Sequence, residues 1–181
     1  MSCNAYCVGS IPAYTNPACQ PALRAGGAPK VIFADCDIED YITDLTDATM
    51  WQDAIDAGQV VIVQNVLGDL AAPSDTTALI SSALLEVVTQ RQWTLNVQDY
   101  NVEQTTTAAF WDDILQNSAN RKFAFVDGAG KVHAWADDVT SSVALQIPND
   151  KRNSQFFGGA INWLSLTHLP TATFPTTLSI P

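Results

Sequence analysis

Between Gln90 and Tyr100 the chain alternates without a break, with Trp93, Leu95 and Val97 on one side and Thr94, Asn96 and Gln98 on the other. A period of two belongs to a strand with one buried and one wet face. A helix would repeat its apolar positions every three to four residues. Phe123 and Phe125 then lead into Asp127-Gly-Ala-Gly130, from which Lys131-Val-His-Ala-Trp135 departs. Asp-Gly between alternating apolar runs is a strong hairpin signal. Lys30-Val-Ile-Phe-Ala-Asp35 and Val60-Val-Ile-Val63 read as buried strands, and further strands are expected at Val143, Leu145 and Ile147 and over Ala160 to Thr167. The chain is therefore expected to be mainly β.

Two amphipathic helices interrupt the strands. One runs from about Asp47 to Ala57, with Thr46 or Asp47 as cap, Met50, Trp51, Ala54 and Ile55 on one face, and Gly58 at its end. The other spans roughly Thr106 to Asn117, with Ala109, Phe110, Ile114 and Leu115 as its stripe and Trp111 beside them. Residues 68 to 78 read as a surface loop, and Leu79 to Thr89 fits helix or strand equally. Residues 1–29 hold Pro12, Pro17, Pro21, Pro29 and Gly26-Gly27 without apolar period and read as an N-terminal arm. Residues 30–168 form a single β-rich core domain, and the Pro-rich residues 169–181 form a C-terminal arm. Met50-Trp-Gln-Asp-Ala-Ile55 echoes Phe110-Trp-Asp-Asp-Ile-Leu115 sixty residues later; a duplicated half would produce this, but two amphipathic helices reaching similar solutions is the preferred reading.

Charged residues make up only 15% of the chain, against about 25% in ordinary globular domains, so part of the surface is expected to meet partners. The net charge of −11 leaves too few cations to neutralise phosphates, which argues against specific nucleic-acid binding. No apolar run approaches the ~20 residues that span a bilayer. The first nine residues have neither a basic nor an apolar leader region, so synthesis in the cytoplasm is expected. Four cysteines (Cys3, Cys7, Cys19 and Cys36) crowd into the first fifth of the chain. Free thiols, one or two disulfides pinning the arm, and a four-thiolate zinc site all fit this spacing, although the usual C-x2-C knuckles are missing.

No residue pattern predicts catalysis or a bound cofactor. His133 and His168 stand 35 residues apart with no carboxylate partner evident in sequence, and His133 is expected to face solvent or a neighbouring subunit. Asp35, Asp37, Glu39 and Asp40 suggest a calcium loop, but Asp40 stands where an EF-hand needs Gly and Thr46 where it needs Glu. A solvated acidic loop, or one that meets a basic patch on another chain, is the better reading. There is no G-x-S-x-G elbow and no phosphate-binding glycine loop; Gly158-Gly159 instead marks a bulge or a close backbone approach. Trp51, Trp93, Trp111 and Trp163 fall on apolar stripes and are expected in the core, which leaves Trp135 open.

A Cys/Pro/Gly-rich arm, a strand opening Lys30–Asp35, β-meanders broken by a Phe-Trp helix, and a closing Phe156-Phe-Gly-Gly-Ala-Ile-Asn-Trp163 before a Pro-rich tail make up the layout. This resembles the small virion structural proteins of tailed bacteriophages, tail-tube proteins above all, across most of the chain. The resemblance implies an antiparallel β-sandwich or barrel with one or two flanking short helices and extended N- and C-terminal arms. It also implies a homo-oligomer of stacked hexameric rings, with other virion proteins as partners and the virion as location. Strand edges that pair between copies would drive such assembly, and the acidic balance suits a DNA conduit. Candidate subunit-contact residues are Asp35, Asp37, Glu39, Asp40, Asp44 and Trp135. The cysteines and the second helix depart from the pattern and keep a head-decoration or connector protein as an alternative. A secreted or surface module that binds glycans through Trp135 and its neighbours is another.

Overall fold

A computed structural model of the chain describes residues 11–14, 28–80, 85–102, 105–148 and 154–180. Its elements in chain order are β1 (Lys30–Ala34), α1 (Ile38–Tyr41), α2 (Ala48–Asp56), β2 (Val60–Gln64), β3 (Leu67–Leu70), β4 (Ser74–Ile80) and β5 (Leu85–Asp99). There follow α3 (Thr105–Asn117), β6 (Lys122–Val126), β7 (Lys131–Ala136), β8 (Thr140–Ser141), β9 (Ala144–Gln146), β10 (Phe156–Leu164) and β11 (Thr171–Thr173). The fold is mainly β, with antiparallel sheets and few helices, as the alternation predicts.

One sheet runs in the order β11-β7-β6-β1-β2 and the other β3-β5-β10-β8, with β4 also on β5 and β9 also on β10. The two sheets face each other across a core in which Val31, Phe33, Phe123 and Phe125 of the first meet Trp93, Leu95, Ile161 and Trp163 of the second. On its other face the first sheet buries Ile32, Ala34, Ala124 and Val126 under Trp51, Ala54 and Ile55 of α2. Three layers result. The first sheet is the middle one, which is why β1 and β6 are continuous apolar runs, whereas β5 alternates because its sheet is covered on one side only.

The helix over Asp47–Ala57 is found at Ala48–Asp56, with the Asp47 carboxylate accepting from the Thr49 amide at 2.8 Å as the cap. Trp51 is fully buried, and its indole N–H donates to the Leu45 carbonyl at 3.0 Å. In α3 the buried face is Thr107, Phe110, Trp111 and Ile114. Ala109 and Leu115, expected on that stripe, are exposed, because at about 3.6 residues per turn Ala109 lies opposite the buried arc and Leu115 just beyond its edge.

Several sequence expectations are corrected. Residues 68–78 are not one loop: β3 and β4 flank residues 71–73 and both pair with β5, and the run from Ser74 to Ala78 is exposed on both faces. The strand expected at Val143–Ile147 is only Ala144–Gln146, and Leu145 and Ile147 are exposed. The last long strand begins at Phe156, not Ala160, and ends at Leu164. The C-terminal segment docks on the core: β11 pairs with β7, Leu169 and Phe174 are buried, and Leu178 and Ile180 pack beside α2's cluster. From the N-terminal arm Ile11, Tyr14 and Ala28 are buried, so these parts of it also belong to the core.

Candidate functional site

Both histidines, far apart in sequence, border one cleft at the edge of the sandwich. Its wider part, about 320 Å³, lies among Ala28, Asp69, Leu70, Phe125, Asp127 and His133, and a narrow extension reaches Trp93, Trp163 and His168. His133 stacks on Phe125 with ring centres 4.5 Å apart, and its Nε2 lies 3.1 Å from Asp127 Oδ2. The carboxylate partner that sequence reasoning did not see is therefore six residues away, across the hairpin turn. The signal was available, because Phe125 stands opposite His133 in this hairpin and Asp127, two residues on, is its diagonal neighbour on the same face. Burial works to raise the Asp127 pKa, but the amides of Lys131 and Ala129 and the His133 ring outweigh it and hold the carboxyl below the usual range. His168 packs on Trp93 at 4.6 Å. Trp93 donates to the Ser165 carbonyl at 2.9 Å, whereas the buried Trp163 N–H has no hydrogen-bond partner. The Asp127–His133 pair fastens the hairpin across its turn.

The acidic segment is engaged within the chain. Asp35 pairs with Arg121 at 2.8 Å, and Arg121, 1% exposed, also reaches Asp113 at 3.3 Å. Lys122 lies 3.2 Å from Glu39 and 2.6 Å from Asp137. Burial, with Asp37 adding to it, keeps Asp35 above the ordinary carboxylate range in spite of Arg121. Asp44 caps its own turn through the Thr46 amide and hydroxyl. Asp37, Asp40 and Asp44 remain exposed, and Trp135 is half-buried with its ring 5.5 Å from Trp51. The contact residues proposed from sequence therefore do not form one patch of a single kind: two are spent on buried cations, three face solvent, and one closes the α2 layer. Cys36 is disulfide-bonded, and Cys3, Cys7 and Cys19 lie outside the described residues. Among the described residues no group of three or more His, Cys, Asp or Glu side chains is placed to hold a metal.

Two surfaces stand out that sequence reasoning did not single out. The first is a ribbon. β10 pairs with β5 from Asp99 only as far as Gln92, whereas β4 pairs with β5 from Gln92 to Leu85. The first half of β5 thus has β4 as its ladder partner and continues past the end of β10. Ser74 to Ala78 and Val87 are exposed there. The second surface is the outer face of the β3-β5-β10 sheet. Register places Gln92, Thr94, Asn96 and Gln98 beside Leu164, Asn162, Ala160 and Gly158, with no charged side chain on either strand across this span.

No protein-family model matches the chain, and no curated protein matches it. Among the described residues no helix is long and apolar enough to cross a membrane.

Proposed function

We propose that this chain is a structural subunit that assembles with copies of itself into rings or a tube, of the kind that forms the tail tube of tailed bacteriophages. The observation that carries the reading is the β4–β5 ribbon. A two-stranded ribbon is marginally stable alone in water. This one runs beyond the sheet that supports it, and its sequence from Leu79 to Val88 is rich in aliphatic residues, with Glu86 as its one charge. A ribbon of this kind is stabilised by lying against another surface, and its ladder edge, with Val87 exposed on it, suits strand addition between copies. The acidic balance supports the same reading, since a wall without clustered cations lets a polyanion pass without holding it.

Size-exclusion chromatography and negative-stain microscopy of the purified chain test it. Rings or tubes that grow with concentration are expected. Val87→Asp in the ribbon should shift the population to monomer while leaving the circular dichroism spectrum unchanged. A monodisperse monomer at high concentration, in the parent protein, would sink the idea.

A further inference from the structure

We propose that the outer face of the β3-β5-β10 sheet is a binding site for a neutral polysaccharide. The face begins from an unusual charge distribution. The chain carries −11, and β3 brings Asp69 to the edge of the face opposite Asn96, yet β5 from Gln92 to Gln98 and the whole of β10 have no ionisable side chain. In their place stand amides and a hydroxyl: Gln92 and Thr94 both donate to Asn162 Oδ1, at 3.3 and 2.7 Å, with Asn96 and Gln98 exposed farther along the strand. Carboxamides both donate and accept, as sugar hydroxyls do, and they meet them without the cost of stripping water from a charge.

At one end of the face lies the aromatic element such a ligand needs. Tyr100 is 48% exposed, and its ring centre is 5.4 Å from that of Phe156. Gly158 has no side chain, and a Cβ built there would collide with the Phe156 ring. The ring therefore lies across the glycine, with the strand as its floor. A ring held in this way offers an apolar surface to the C–H face of a pyranose, and the Tyr100 hydroxyl is held by Gln98 at 3.1 Å. From Gln92 to Gln98 the strand runs for ~20 Å, so the ligand is an extended chain rather than a single sugar. The tryptophans cannot serve in this role: Trp51, Trp93, Trp111 and Trp163 are each 4% exposed or less, and Trp135 rests on Trp51. A nucleic acid would bring phosphates to a face without cations, and a second copy would bring another −11.

The inference does not depend on the assembly reading, which rests on the ribbon. Native affinity electrophoresis of the whole chain through gels containing a neutral β-glucan, α-glucan, galactan or mannan tests it, with an acidic polysaccharide as control. Retardation by at least one neutral polymer and none by the acidic one is expected. Tyr100→Ala should weaken that retention ~tenfold, and Asn162→Ala measurably, both with unchanged circular dichroism. Because Phe156 also covers Gly158, Tyr100 is the cleaner probe of the rings. Retention by no neutral polymer, or equal retention of Tyr100→Ala, would overturn the proposal. So would a change of oligomeric state in Tyr100→Ala, read by size exclusion on the same samples, because it would assign the face to a second copy. Val87→Asp, which tests the ribbon, should bind the polymer as the parent does.

Discussion

Asp99, 2% exposed, is held by donors. Its Oδ2 accepts from the Tyr14 hydroxyl and from the Trp111 indole, each at 2.9 Å, and its Oδ1 accepts from the Asn101 amide at 2.9 Å. Burial, followed by the Asp99 charge, raises the Tyr14 pKa well above its ordinary value, so the phenol stays a donor at any working pH. Asp99→Ala would orphan two buried donors and should cost about 2–4 kcal/mol in urea unfolding, with Asp99→Asn costing less because one acceptor survives. An unchanged midpoint in Asp99→Ala would show that the N-terminal segment is not held here. Asp127 makes a pH prediction. Its folded pKa lies below the unfolded value, so its contribution is present above the ordinary aspartate pKa of ~3.9 and is lost as pH falls through the depressed folded value. Asp127→Asn should therefore be less stable than its parent at neutral pH, with the gap closing as pH falls below about 4, so that its acid limb is the flatter one.

At the scale of elements, the two adjacent glycines of β10 differ in a way that substitution can read. A Cβ on Gly159 would strike the backbone of Ser142 and Val143, which cannot move without breaking the β10–β8 pairing, whereas one on Gly158 meets a ring that can swing aside. Gly159→Ala should therefore cost ~1–3 kcal/mol in thermal unfolding, and more than Gly158→Ala. The expectation of a close backbone approach at this pair holds for Gly159 in full. Elements with a strong period were legible in the sequence: β5 from its alternation, the β6–β7 hairpin from Asp127-Gly, and α2 from its cap and stripe. β4 was not, because a strand exposed on both faces has neither alternation nor an apolar run and looks like a loop by composition. The histidine cleft and the pairing of Glu39 with Lys122 were invisible for another reason. Both depend on which strands become neighbours, and β1, β6 and β10 are joined by contacts that no local window contains.

For the molecule as a whole, charge is unevenly shared. No lysine or arginine stands between Lys30 and Arg91, while eight acidic residues lie from Asp35 to Asp56. Copies that meet through the ribbon, where Asp75 is already paired with Arg91, must overcome this repulsion, which acts over ~30 Å at 0.01 M salt and ~8 Å at 0.15 M. Assembly followed by light scattering should therefore increase with salt. A decrease would mean that the acidic segment itself is the contact, paired with cations of a partner. The central position of β1 has a further consequence, in the time domain. It pairs on one side with β2, close behind it, but on the other with β6, where Lys30 faces Val126. A ribosome making this chain exposes the Val31–Ala34 edge long before its second neighbour emerges. The nascent chain must carry an open apolar strand through about half of its synthesis, the interval in which premature association is most dangerous.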